Sequence, residues 1–275
     1  MRRAFRIIQR LAVFLLGVVS IWLIVDVFEL VDRRLPWILA LAATYAIAAY
    51  VLLPRIVLMG LKILQQQRVP SFTITGDGLA GDPVNLALGG TLAELRTAFA
   101  TAGWVEADRL DFMSSWKMAE AFVFNKPYPT APFSTLYLFG RGQDIGFQKD
   151  IDNSPRKRHH VRFWAQSLAN PQEGPDTLDF WLNTDRPNDL ERVLWVGAAT
   201  RDTGFSLTRF TFQITHATAN DTDIERQFII DDLARCGVIG QTALRKAGDQ
   251  LRTGHVNHYV TDGDIAVAEI KIPAG

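Results

Sequence analysis

The densest run of chemically capable side chains is Arg156-Lys-Arg-His-His-Val-Arg-Phe-Trp164. On a strand, successive side chains face opposite sides. His160, Arg162 and Trp164 then share one face, and His159, Val161 and Phe163 the other. Neighbouring histidines cannot enter one pocket without a bulge. His159, in apolar company, reads as a core histidine with one ring nitrogen hydrogen-bonded. His160 beside Arg162 reads either as a packed pair or as a site for a phosphate or carboxylate, the guanidinium supplying a planar fork and the imidazole acid/base chemistry. Arg141, Asp144, Lys149 and Arg158 are the residues expected to extend that ligand-binding side. The basic run 156–158 equally suits a solvated turn, or a contact with anionic headgroups where it faces a membrane.

His160, Arg162 and His216 form the candidate catalytic set, and His160, His216, Asp223 and Glu225 the candidate metal set, with Asp144 and Asp202 similar in kind. Such mixed histidine and carboxylate donors suit a divalent metal such as zinc or manganese. No His-Glu-x-x-His motif orders them locally. Asp223 and Glu225 have a structural alternative: acidic residues in the first turn of a helix favour its positive end, with Asn220 or Asp221 as the cap. His216-Ala-Thr218 is a single His-x-Thr, whereas two-histidine phosphoesterase chemistry needs two. Neither Gly76-Asp-Gly78 nor Gly89-Gly90 carries P-loop or Rossmann spacing, and no Gly-x-Ser-x-Gly elbow is present. The lone Cys236 excludes an internal disulfide and a cysteine-rich zinc module.

The elements that must position these groups follow from pattern. Val84–Leu88 reads as a strand, and Thr91-Leu-Ala-Glu94 has capping-box spacing for a helix that ends at Gly103. A second helix is expected over Leu110–Phe124. Short β-like runs follow at Thr135–Phe139, Ile145–Gln148, His159–Ala165, Leu178–Leu182, Val193–Thr200 and Phe205–His216. A third helix, Thr222–Arg235, turns Ile224, Phe228, Ile229, Leu233 and Cys236 to its apolar side. His255–Thr261 and Asp264–Lys271 are expected to pair as a hairpin about Asp262-Gly263. Strands without regular helical alternation indicate an α+β domain with a largely antiparallel sheet and about three helices.

The first quarter is different. Leu35 to Pro54 is a run of 20 residues without a charge, about 30 Å of helix and enough to cross a hydrocarbon core. An earlier run, Leu11 to Val25, is apolar for 15 residues before Asp26, and no small-residue cleavage site follows it. Two uncleaved spans, about 7–27 and 35–54, are therefore expected as an antiparallel hairpin, followed by an amphipathic stem up to residue 69. Four arginines precede the first span, and Arg55, Lys62 and Arg68 follow the second. This distribution places both termini and the 70–275 body on the cytoplasmic side.

The whole chain has 275 residues, 48% hydrophobic and 21% charged, which excludes a disordered or collagen-like chain. Its zero net charge conceals a split. Residues 1–69 carry nine Lys/Arg against three Asp/Glu, leaving 20 against 26 in 70–275. An acidic body excludes nucleic acid as a partner.

Several blocks together resemble the LssY C-terminal domain family: Gly81-Asp-Pro-Val-Asn-Leu-Ala-Leu88, Ala102-Gly-Trp104, Ser134-Thr-Leu-Tyr-Leu-Phe-Gly-Arg141, Gln143-Asp-Ile-Gly-Phe-Gln-Lys149, Ser154–Trp164 and Trp195-Val-Gly-Ala-Ala-Thr-Arg-Asp-Thr-Gly204. The resemblance runs from about Thr73 to Leu233. It implies a bacterial inner-membrane protein and, through the family's name, a link to type I secretion, but no particular reaction. Similar domains often follow membrane segments, some phosphatase-like or DedA-like; 69 residues with two spans are too few for such a module. Where similar sequences read Thr-His-His, this chain has Thr215-His216-Ala217, so one of two potential ligands is missing. Three roles remain open. The expectation adopted is a membrane-anchored binding or accessory module, with membrane lipids and other inner-membrane proteins as partners. The alternatives are a hydrolase, metal-dependent or not, acting on a phosphate-containing or lipid-linked substrate, and a structural cytoplasmic cap.

Overall fold

The computed structural model describes residues 2–32, 36–63, 70–124, 126–151, 157–166, 187–207, 214–246 and 259–272. Helix α1 covers Arg2–Asp32. Helix α2 (Trp37–Ile47) passes through a π-helical turn, Ala48–Leu52, directly into α3 (Leu53–Ile63). The span expected over 35–54 and the helical segment expected after it are continuous, and the rod runs through Pro54. A proline lacks an N–H and its ring collides with the carbonyl four residues back. The wider turn immediately upstream, closed by Leu53 N–H on Ala48 O, gives the ring room. Among the described side chains, the small residues Ser20, Ala40, Thr44 and Ala49 are buried, whereas Phe14, Trp22, Trp37 and Ile38 are exposed. Small residues let helices approach closely. Phe14–Val31 and Trp37–Gly60 are each long and apolar enough to cross a membrane, by length and composition.

The rest is α+β with mostly antiparallel sheets, as the pattern indicated. The smaller sheet has the order β2-β1-β5-β6, from β1 (Phe72–Ile74), β2 (Ala80–Pro83), β5 (Tyr137–Leu138) and β6 (Arg141–Gly142). The larger uses β3 (Leu86–Gly90), β4 (Val105–Glu106), β7 (Ile145–Asp150), β8 (Arg158–Gln166), β9 (Val193–Leu207), β10 (Ile214–Thr218), β11 (Ala243–Lys246) and β12 (Asp264–Glu269). Its order is β11-β12-β3-β9-β8-β7-β4, with β10 folded onto β9. Among the described strands only the β12–β3 pairing in it is parallel.

One face of the larger sheet carries Leu86, Leu88, Phe147, Val161, Phe163 and Trp195 into a core shared with helices α4 (Leu92–Thr101) and α6 (Thr222–Arg235). The other face packs Ala87, Trp164, Val196 and Ala198 with Leu136 and Leu138. Helix α5 (Phe112–Val123) is the third helix of the described body, capped by Asp111. At α4 the capping box is complete: Glu94 N–H donates to Thr91 Oγ1 at 3.1 Å, and Thr91 N–H to Glu94 Oε2 at 2.8 Å. Thr91→Ala should therefore lower stability by about 1 kcal/mol and Thr91→Ser by less. Unfolding midpoints check this; equal midpoints for alanine and wild type would contradict it.

Four expectations need correction. The strand predicted at 84–88 lies at Leu86–Gly90, because buried Asn85 extends the ladder with its side chain. Its Oδ1 accepts from Ala199 N–H at 2.9 Å and its Nδ2 donates to Ala199 O at 3.0 Å, as a peptide group would. Second, Arg201-Asp-Thr-Gly204 is not a turn; β9 continues through it because Asp202 finds Arg158 across the sheet. The strand predicted at 205–216 is accordingly the end of β9 and the returning β10. Third, Ile224 is exposed, since five residues before core-facing Ile229 places it about 140° around the helix. Fourth, β12 lies between β3 and β11, while Val260 bridges Asp221. Residues 255–258 of the expected hairpin, and the strand predicted at 178–182, lie outside the described residues.

Candidate functional site

Strand alternation puts Arg158, His160 and Arg162 of β8 on the face away from α4 and α6. The register sets Gln148 and Thr200 on either side of His160, and Asp150 and Asp202 on either side of Arg158. Asp82 of β2 and Tyr259 complete the group. Arg162 Nη1 lies 2.7 Å from both Asp82 Oδ2 and His160 Nε2. His160 Nδ1 lies 3.2 Å from Asp202 Oδ1, and Arg158 Nε donates to Asp202 Oδ2 at 2.8 Å. Arg158 also donates to Gln148 Oε1. Thr200 Oγ1 is 2.7 Å from His160 Nε2, and the Tyr259 hydroxyl donates to Asp82 Oδ1 at 2.6 Å. The Phe133 ring covers the cluster, its centroid 4.9 Å from each guanidinium carbon and 5.1 Å from the imidazole centroid.

Two guanidinium groups thus face two carboxylates around one imidazole, and all are buried. Taking such charges out of water is tolerable only when each is paired and hydrogen-bonded. A guanidinium N–H can only donate, so its approach to Nε2 makes that nitrogen an acceptor and leaves the ring proton on Nδ1. Burial, the largest influence, opposes a second proton on His160, as does Arg162, but Asp202 and Asp82 together hold the imidazole above its ordinary value. Burial likewise opposes ionisation of Asp82, yet Arg162, His160 and Tyr259 together hold its carboxyl below the ordinary value.

Sequence alternation brings His160 and Arg162 together as expected. Asp82, Gln148, Thr200, Tyr259 and Phe133 were missed as site residues. No local motif marks them, and only the fold gathers them. His159 keeps its core-side place, with Nδ1 at 2.8 Å from Glu225 Oε2 and its ring stacked on Phe228 at 4.0 Å. Glu225 therefore lies with His159, on the far side of the sheet from His160. Asp223 lies in the first turn of α6, behind the cap Asp221, and accepts from the Thr261 hydroxyl at 2.9 Å and the Asp262 amide at 2.8 Å. His216 sits in β10 opposite Phe205, its side chain outside the described residues.

The described members of the candidate metal set are thus not brought together, and among the described residues no group of three or more His, Cys, Asp or Glu could hold a metal ion. Both carboxylates beside His160 already face guanidinium groups, which does not fit a zinc or manganese donor set. The ligand-binding side is not gathered either. Lys149 lies on the helix-covered face, bonded to Asp232 Oδ2 at 2.8 Å and Ala102 O at 2.9 Å. Arg141 pairs with Asp144 and donates to Ala165 O at 3.0 Å. Arg158 and Arg162 occupy the opposite face from Lys149, each with its own carboxylate.

A second ionic contact ties α6 to the segment before β12: Arg226 grips Asp262 with two bonds of 2.8 and 2.9 Å. Those bonds hold the Asp262 carboxyl below its ordinary value. Asp82 and Asp262 both have folded values below their unfolded ones. Their contribution to stability is complete above the ordinary carboxylate range and is lost as pH falls through the depressed values. The thermal midpoint of the detergent-solubilised chain should therefore drop once pH passes below about 4. A midpoint that rises between pH 5 and 3 would contradict this.

The sequence model of the family described as LssY C-terminus matches residues 66–265. Searches of curated proteins and of solved structures give no match.

Proposed function

The chain belongs to the LssY C-terminus family, and from that premise we propose that it is a membrane-anchored accessory module of the bacterial inner membrane. One observation carries this reading: along Phe14–Val31 and Trp37–Gly60 few residues are buried and most of the large apolar side chains are exposed. Water is a poor solvent for such rods, and hydrocarbon a good one. The basic residues flanking the hairpin favour both termini and the body on the cytoplasmic side. There the body would serve other inner-membrane proteins of a secretion or envelope-related system. The described basic side chains of the candidate site are all engaged by internal acceptors, which favours a body that binds through its shape and outer surface over one that captures an anion at β8.

Alkaline carbonate extraction of cell membranes tests the anchor. The full-length chain is expected in the pellet, released only by detergent, with tags at both termini protected from protease in intact spheroplasts. Release by carbonate would overturn the anchor, and digestion of either tag would overturn the orientation.

A second reading, hydrolysis of a phosphate-containing or lipid-linked substrate, is favoured by one arrangement. Thr200 hydroxyl, His160 imidazole and Asp202 carboxylate stand in the order that activates a nucleophile. Burial of Thr200 weighs against it. Turnover of a chromogenic ester or phosphate ester by the wild type, lost in Thr200→Val, would raise this reading above the first.

A further inference from the structure

Helix α5 is exposed in a way the other body helices are not. Of its described side chains only Ser114 and Ala121 are buried, while Met113 and Trp116 are 60% and 66% exposed. Leu110 just before it and Phe124 just after it are also exposed. Past Phe72, nine large apolar side chains are exposed among the described residues, and four of them fall within Leu110–Phe124. At 3.6 residues per turn Met113, Lys117, Glu120 and Phe124 form one stripe, with Trp116 at its edge, and Leu110 lies just before the extended cap residue Asp111. Lys126 closes on Glu120 at 2.7 Å and lies 5.5 Å from the Phe124 ring centroid.

A tryptophan with long apolar side chains and lysine stems at the margin is the composition suited to the layer between headgroups and acyl chains. The basic residues Arg109, Lys117 and Lys126 are offset by Asp108, Asp111 and Glu120, so apolar insertion rather than charge would drive the contact. Geometry supplies the occupant. Between the end of α3 at Ile63 and the start of β1 at Phe72 the chain can extend about 32 Å at most. A body held that close to a bilayer meets it at high effective concentration, so a patch too small to recruit a free protein suffices.

We propose that Leu110–Phe124, centred on α5, is a second membrane contact that lies in the interfacial layer of the bilayer crossed by the N-terminal helices. The proposal rests on the membrane-anchored reading, and its test separates the two. Full-length chain carrying Cys236→Ser is reconstituted into phosphatidylcholine vesicles, with single cysteines introduced by Phe14→Cys, Met113→Cys, Trp116→Cys or Leu244→Cys. Each is labelled with an environment-sensitive fluorophore and quenched with brominated lipid. The labels at 14, 113 and 116 are expected to be quenched at least twofold more than the label at 244, with little change in high salt. Quenching at 14 but not at 113 or 116 overturns the proposal and leaves the anchor standing. No quenching at 14 overturns the anchor itself. Labels at 113 and 116 that escape lipid quenching but self-quench as the protein-to-lipid ratio rises would assign the patch to a second copy of the chain, and also overturn the proposal.

Discussion

Replacing Asp82 with alanine is expected to destabilise the folded body by about 3–5 kcal/mol, the usual cost of leaving one member of a buried ion pair alone. The substitution strips Arg162 of its carboxylate at 2.7 Å and leaves the Tyr259 hydroxyl without its acceptor at 2.6 Å. Both groups are buried, so water cannot replace what is lost. Domains hold only about 5–15 kcal/mol in total, and a large part of the folded population would go. Chemical unfolding of the full chain in detergent, followed by near-ultraviolet circular dichroism, reads the loss. The partner experiment is Asp82→Ala with Arg162→Met, which removes the stranded charge. It should recover part of the stability, although the Tyr259 hydroxyl still lacks the Asp82 acceptor. A single variant within 1 kcal/mol of wild type would mean that the cluster is open to solvent.

Phe99→Ala should be comparably severe for a different reason. The ring is fully buried and stacks on Phe147 with centroids 4.4 Å apart and planes within 9°. It meets Trp104 and Phe163 edge-on at 5.6 and 5.5 Å. Truncating a phenylalanine so placed costs about 3–5 kcal/mol through lost transfer energy and the cavity left behind. Phe99→Leu, which refills most of the space, should lose less than half as much. Phe124→Ala removes the same atoms from an exposed site and should change stability by under about 0.5 kcal/mol. Equal losses at positions 99 and 124 would refute this account of the core.

What the residues disclose in advance depends on how local the interaction is. The Thr91–Glu94 box and the Asp221 cap are readable because their partners lie within one turn. The common face of His160 and Arg162 is readable because strand alternation is a property of the backbone. Asp82 is not, since it reaches Arg162 from 80 positions away in sequence. The same holds for Asp202: polar residues at 201–204 suggest a turn until Arg158 is placed beside them. Asn85 misleads in the other direction, because a side chain imitating a peptide bond shifts where the ladder begins.

The parallel pairing of β12 with β3 has a consequence for biogenesis. Strand β12 belongs in the interior of the sheet, beside one made some 180 residues earlier. Until the ribosome has delivered it, the flank of β3 stays open, while the N-terminal hairpin is already out of the exit tunnel. Completion of the larger sheet therefore trails synthesis of the two long apolar helices, and during that interval the open edge of β3 is exposed to wrong pairing.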